Sequence, residues 1–101
     1  MPDLHRITIL WENGEDTVLN LRNKPTMADY YRWIETDMVE LQTTPDSKLE
    51  IIMDENGKAI SMTRKEDRPT NHKACDLLER PYEGLHRIVG TVVVQAKGTL
   101  E

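Results

Sequence analysis

Residues 49–74 decide the fold of this chain, and they read LEIIMDENGKAISMTRKEDRPTNHKA. Leu49 to Met53 is an apolar run that predicts a strand, and the adjacent Ile51 and Ile52 predict burial of both its faces. Asn56-Gly57 accepts the positive φ of a tight turn, so Lys58–Met62 is predicted to return as a second strand. The stretch therefore predicts a hairpin whose first strand is central in a sheet.

The residues before this stretch predict another hairpin. His5–Trp11 is rich in β-formers and places Ile7, Ile9 and Trp11 on one face. Asn13-Gly14 supplies the turn, and Asp16–Leu21 is predicted to pair back with the first strand.

A helix is predicted to follow this hairpin. Thr26 can cap its first backbone N–H groups, with Asp29 three residues further on in the position of the usual Glu. Four residues have the helical spacing of a buried stripe, namely Met27, Tyr30, Tyr31 and Ile34. Trp33 lies beside this stripe.

The remaining segments complete an α+β domain. Thr36–Thr43 is predicted to be a strand, and Arg87–Gln95 is predicted to be the strand at the sheet centre. Thr70 or Asn71 is predicted to cap a second helix, with Ala74, Leu77 and Leu78 facing inward. The predicted order is β-β-α-β-β-β-α-β, with two helices packed on one mixed or antiparallel sheet.

Composition indicates one domain over residues 1–101, with 38% hydrophobic and 31% charged residues and a net charge of −5. The balance disfavours duplex nucleic acid as a partner. Residues 1–60 hold 6 Lys+Arg against 12 Asp+Glu, a net of −6, whereas residues 61–101 hold 7 against 6, a net of +1. The asymmetry fits either one anion-binding face or scattered surface charge.

Cys75 is the only cysteine, so an intrachain disulfide and a cysteine-based metal cage are excluded. Its apolar neighbours predict a buried small hydrophobe. No apolar run reaches the ~18–20 residues that span a membrane, and no signal peptide is recognisable, so we expect a cytoplasmic protein. Leu100-Glu101 resembles an expression-vector remnant and is given no structural role.

The second half carries three motifs of a known pattern: DENGK at 54–58, NHKA at 71–74 and IVGTVVV at 88–94. Together with MVEL at 38–41, they resemble a small uncharacterised domain common in phage and mobile-element genomes. The resemblance covers roughly residues 36–95. The family usually approaches its second helix through Leu-Pro-x-Asn, where this chain has Arg68-Pro69-Thr70-Asn71 after a longer, more charged loop. The resemblance implies a phage accessory protein and supplies no mechanism.

The start of the second helix is the candidate anion site. Helix N-termini favour anions, and Arg side chains bind phosphate in a bidentate manner. Thr70 and Asn71 lie at this start, Arg64 and Arg68 precede it, and Lys73 lies in its first turn. The alternative is a capped helix beside a solvated loop in which acidic residues neutralise the basic ones.

Aromatic residues could stack a nucleobase. The candidates are Tyr31 and Trp33 on the first helix and Tyr82 after the second. The alternative for the first two is packing against the sheet.

Signals for chemistry are weak. His5, His72 and His86 lack metal-ligand spacing, and no phosphate loop, nucleophile elbow or paired carboxylates appear, so we expect no metal, no cofactor and no enzymatic activity. The leading hypothesis is a phage protein that sequesters a nucleotide-derived immune signal of its host, as a homodimer or higher oligomer. The rival hypothesis is a protein–protein inhibitor that docks its acidic first half, including Glu12, Glu15, Asp16, Glu35, Asp37 and Glu40, on a basic host surface.

Overall fold

The computed structural model describes residues 4–36, 38–54, 70–83 and 87–100. These residues form one antiparallel sheet and two helices, which confirms the α+β class and the antiparallel form of the sheet. The elements in chain order are β1 (His5–Leu10), β2 (Asp16–Leu21), α1 (Met27–Ile34), β3 (Val39–Thr43), β4 (Leu49–Asp54), α2 (His72–Leu77) and β5 (Val92–Ala96). Across the sheet the strand order is β2-β1-β5-β4-β3.

The first hairpin is confirmed. Gly14 has φ 93°, and the Trp11 N–H donates to the Glu15 carbonyl at 2.9 Å. β1 then pairs with β2 from His5 opposite Leu21 to Leu10 opposite Asp16. The hairpin forms because a residue without a side chain stands where the turn needs positive φ.

β4 is central, as its apolar sequence predicts. β5 pairs with it on one side and β3 on the other, so that Glu50–Ile52 has a partner strand at both edges. β3 reaches β4 through a turn in which Ser47 has φ 62°. The predicted partner strand Lys58–Met62 and the Asn56-Gly57 turn lie outside the described residues, so the described order contains five strands where the sequence predicted six.

β5 lies at the sheet centre as predicted, but it is shorter than the predicted Arg87–Gln95 strand. Gly90 has φ 83°, which ends the extended run before Val92. Val89 instead forms an isolated bridge with Thr70. The segment before Gly90 therefore pairs with the approach to α2.

β3 begins at Val39, later than the predicted Thr36, because Thr36 still belongs to the end of α1, where its N–H donates to the Tyr31 carbonyl at 3.1 Å.

Thr26 caps α1 as predicted. Its hydroxyl accepts from the Asp29 N–H at 3.3 Å, and Asp29 Oδ2 accepts from the Thr26 N–H at 2.9 Å. Tyr30 and Ile34 are buried, whereas Met27 and Tyr31 are exposed. The predicted buried stripe is therefore narrower than its four residues, because a short helix lying on a sheet covers one side only.

The two helices pack on opposite faces of the sheet. On the face that we call the α1 face, α1 meets Ile7, Ile9, Ile52 and Val93. On the α2 face, Ala74 and the buried Cys75 pack with Leu10, Ile51, Met53, Ile88, Val92 and Val94. Because successive strand residues point to opposite faces, each inner strand contributes to both cores.

A buried polar chain runs across the α1 face. The Tyr30 hydroxyl donates to Gln95 Oε1 at 2.8 Å, and Gln95 Nε2 donates to Glu50 Oε2 at 2.7 Å. The Glu50 carboxylate also accepts from the backbone N–H groups of Gly98 at 2.7 Å and Leu100 at 3.0 Å. The sequence-based view of Leu100 as a residue without structural role is therefore wrong, since Leu100 is held by Glu50 and packs against the α1-face core. Glu101 lies outside the described residues.

Candidate functional site

Asn71 is the N-cap of α2 and is 4% exposed. Its Oδ1 accepts from the Ala74 N–H at 3.2 Å, and its Nδ2 donates to the carbonyls of Leu10 at 3.1 Å and Gly90 at 2.8 Å. Both amide N–H groups and the amide oxygen are thus used within the fold. Asn71 positions the start of α2 over the sheet.

Thr70 joins two segments that follow α2. Its hydroxyl donates to the Tyr82 carbonyl at 2.8 Å and accepts from Arg87 Nη1 at 3.1 Å. Thr70 thereby orients a guanidinium that the sequence analysis did not single out.

Tyr82 lies on the same side of the sheet as Thr70. Its ring stands edge-on to the His72 ring, with 4.6 Å between centroids, and its hydroxyl is hydrogen-bonded to the Asp76 carboxylate. That bond to Asp76, with a smaller effect of burial, raises the pKa of the Tyr82 hydroxyl. The ring is held in place and remains half-exposed.

Two arginines meet at a cleft on the α2 face, near the β3 edge. Arg80 and Arg87 line this cleft over a floor of Met53, Ile88 and Val89, and its walls include Glu40 and Asp54. The Arg80 guanidinium donates to Gln42 Oε1 at 2.5 Å, which anchors it to β3. The enclosed volume is about 20 Å³, room for little more than a water molecule.

Sequence reasoning missed both arginines. They lie on either side of Pro81 and Gly84, two residue types that end helices and allow the chain to turn. This pair of turn-forming residues was the available signal.

Lys73 points to the opposite edge of the sheet. Its Nζ lies 3.2 Å from Asp16 Oδ2 on β2, and both side chains are about half exposed. Because β2 and β3 are the two outermost strands, Lys73 and the arginine cleft are not brought together.

Tyr31 and Trp33 lie on α1, and the sheet separates them from Thr70 and Tyr82. Trp33 packs against the α1-face core, with its ring edge-on to Tyr30 at 6.0 Å between centroids. The Arg32 guanidinium lies 5.9 Å from the Trp33 ring centre. Within one subunit, these two aromatic rings and the start of α2 therefore belong to different surfaces. Arg64 and Arg68 lie outside the described residues.

Among the residues that the structure describes, no group of three or more His, Cys, Asp or Glu side chains is placed to hold a metal ion. None of the described helices is long and apolar enough to cross a membrane.

Comparison with protein-family models, curated proteins and solved structures found no match to this chain. The resemblance to a phage domain therefore stays a prediction.

Proposed function

We propose that this protein acts by binding a small phosphate-bearing nucleotide, without turnover, on the α2 face. The observation that supports the proposal is the pairing of Arg80 and Arg87 at one cleft, with Thr70 orienting the second guanidinium. In the setting that the phage resemblance suggests, the protein sequesters a host immune signal in the cytoplasm of the host cell.

Guanidinium groups suit this role because each offers paired N–H donors that match two phosphate oxygens. Arg80 is anchored by Gln42 and Arg87 by Thr70, so little side-chain freedom remains to be lost on binding. The half-exposed Tyr82 ring, held against His72, offers a surface for a base.

The cleft dimensions limit the pose. Pockets that enclose a drug-sized ligand have volumes of roughly 300–1,000 Å³, far above the 20 Å³ here. A phosphate group therefore binds at the mouth of the cleft, and the remainder of the nucleotide lies over the surface. Glu40 in the cleft wall favours a ligand that also offers hydrogen-bond donors, such as ribose hydroxyl or base amino groups.

Isothermal titration calorimetry against cyclic nucleotides and ADP-ribose derivatives tests the proposal. Arg80→Gln is expected to weaken the binding of any nucleotide that gives a signal with the wild type, because the substitution removes a charged donor at the cleft. Arg32→Gln, which removes an arginine on the opposite face, is the matched control and is expected to leave binding unchanged.

Absence of heat with the whole panel at micromolar protein would exclude the nucleotide proposal. Unaltered ligand recovered by chromatography after long incubation supports binding without turnover, and product formation contradicts it.

A second candidate function is docking on a basic protein surface. The register places the β1–β2 turn, with Glu12 and Glu15, at the same end of the sheet as Glu40 and Asp54. Several acidic groups at one end supply the complementary charge that steers association with a basic partner. The test is a pull-down of host proteins. Specific retention of one host protein would favour this function over nucleotide binding, provided that the retention disappears both at high salt and with a Glu12→Gln/Glu15→Gln variant.

A further inference from the structure

β2 is an edge strand, and the backbone groups along its outer side are placed to pair with another strand. Among the described residues, β2 pairs with β1 alone. The Trp11 N–H bond to Glu15 identifies these two residues as a hydrogen-bonded pair, and such pairs alternate along an antiparallel ladder. Thr17, Leu19 and Leu21 therefore direct their backbone groups to β1.

It follows that Asp16, Val18 and Asn20 direct their backbone N–H and C=O groups away from β1. The strand reads DTVLNL, with neither the lysine nor the proline that commonly protects an edge, and Val18 is 45% exposed. The outer edge of β2 can therefore form an antiparallel hydrogen-bond ladder with another strand.

We propose that β2 pairs antiparallel with β2 of a second copy of this chain, around a two-fold axis through Leu19. The two sheets then join into one continuous sheet. Val18 lies opposite Asn20 of the second copy, and Asn20 lies opposite Val18 of the second copy. Both residues direct their backbone groups outward, so each of these two pairs exchanges two hydrogen bonds.

Charge complementarity favours this register over one with the axis at Val18. With Leu19 on the axis, Asp16 at the start of β2 lies opposite Arg22 of the second copy, the residue that directly follows β2, and symmetry repeats this opposite-charge pair at the other end. Asp16 and its partner Lys73 are each about half exposed, so the carboxylate is accessible to a second cation. An axis through Val18 instead places Asp16 opposite Asn20 and Glu15 opposite Leu21, which pairs no opposite charges.

The apolar side chains agree with the same register. On the α1 face, Leu19 lies opposite its own copy and Leu21 lies opposite Thr17. Leu19 and Leu21 are only partly buried in one subunit and pack at the margin of the α1-face core. Pairing extends that core across the two-fold axis.

The other edge strand offers no equivalent. β3 reads VELQT, and an axis through its centre at Leu41 pairs Glu40 with Gln42 and Val39 with Thr43. No opposite charges meet in that arrangement. The two-fold axis is therefore assigned to β2, independently of any ligand on the α2 face.

Sedimentation velocity over a concentration series tests this dimer. The wild-type chain is expected to dimerise, and Arg22→Asp is expected to weaken the dimer roughly tenfold or more, because both ends then oppose like charges. The exchange Asp16→Arg/Arg22→Asp restores opposite charges and is expected to restore the dimer. Arg32→Asp makes the same change in net charge on α1 and serves as the matched control, with no expected effect.

A backbone variant provides a second measurement. Asn20→Pro removes an N–H that points away from β1, so it is expected to abolish the dimer while the circular dichroism spectrum of the subunit is retained. Asn20→Ala keeps the N–H and is expected to keep the dimer. A wild-type monomer at every concentration, or a dimer unchanged by both Arg22→Asp and Asn20→Pro, would overturn the proposal.

Discussion

Glu50 on β4 and Gln95 on β5 lie side by side on the α1 face, joined by a hydrogen bond of 2.7 Å between Gln95 Nε2 and Glu50 Oε2. Both side chains are buried, with exposed fractions of 3% and 1%. A carboxylate leaves water only at a large cost unless donors replace the lost hydration. Gln95 and the N–H groups of Gly98 and Leu100 are those donors, so the C-terminal turn and the sheet depend on one another.

Glu50→Gln is expected to lower the free energy of unfolding by about 1–3 kcal/mol, because its amide NH₂ meets N–H groups and leaves buried donors unsatisfied. Urea denaturation followed by tryptophan fluorescence measures the change. Glu83→Gln, which makes the same substitution at an exposed position, is the control. Equal stability of the Glu50→Gln variant and the wild type would contradict the proposed dependence on the carboxylate.

Tyr30→Phe is expected to cost about 1 kcal/mol at neutral pH, since Gln95 Oε1 loses its donor. Burial raises the pKa of Tyr30 above the ordinary 10.0. The stabilisation linked to this proton is therefore complete below pH 10 and is lost as the pH rises through the folded-state pKa.

Denaturation curves from pH 9 upward check this linkage, and the alkaline loss of stability is expected to be smaller in Tyr30→Phe than in the wild type. Tyr31→Phe, at an exposed position on the same helix, is expected to leave the alkaline slope unchanged. The same slope in Tyr30→Phe and wild type would count against the linkage.

Asn71→Ala is expected to destabilise the fold by about 2–4 kcal/mol, because it removes a helix cap and leaves the carbonyls of Leu10 and Gly90 without their donor. Thr26→Ala removes the exposed cap of α1 and is expected to cost about 1 kcal/mol. Thermal unfolding of the two variants compares them directly. Similar losses would show that the two carbonyl contacts add little.

Asn71→Ser separates the two roles of Asn71. Serine can keep the cap but cannot reach both carbonyls, so its loss of stability is expected to lie between that of Asn71→Ala and zero.

Thr44→Val is expected to raise the pKa of Asp46 towards its ordinary value. In the wild type, the Thr44 hydroxyl donates to Asp46 Oδ1 at 2.6 Å, and this bond, followed by the Lys48 N–H, lowers the pKa of the carboxyl. A group whose pKa is lowered in the folded state stabilises the protein at pH values above its unfolded-state pKa. This stabilisation is lost as the pH falls through the folded-state pKa. NMR titration of the Asp46 side chain measures the shift, and no change on Thr44→Val would contradict the assigned cause.

The sequence by itself determined the features that depend on neighbouring residues. Asn13-Gly14 marked the first turn because positive φ is a local requirement, and Thr26 with Asp29 marked the start of α1 because a cap acts within one helical turn. The apolar runs around Ile52 and Val93 marked strands buried on both faces. The α+β class followed from these local signals.

Tertiary structure alone decided which segments meet. Periodicity shows which residues of a strand share a face, but it does not show which strand lies next to it, so the pairing of β4 with both β3 and β5 needed the assembled sheet. For the same reason, the sequence did not show that the sheet lies between Trp33 and Thr70. Nor did it show that Arg80 and Arg87 line one cleft. Glu50 is the clearest example. A glutamate in a strand sequence predicts an exposed side chain, but Glu50 is buried because its carboxylate accepts hydrogen bonds from donors that are all at least 45 residues away in the chain.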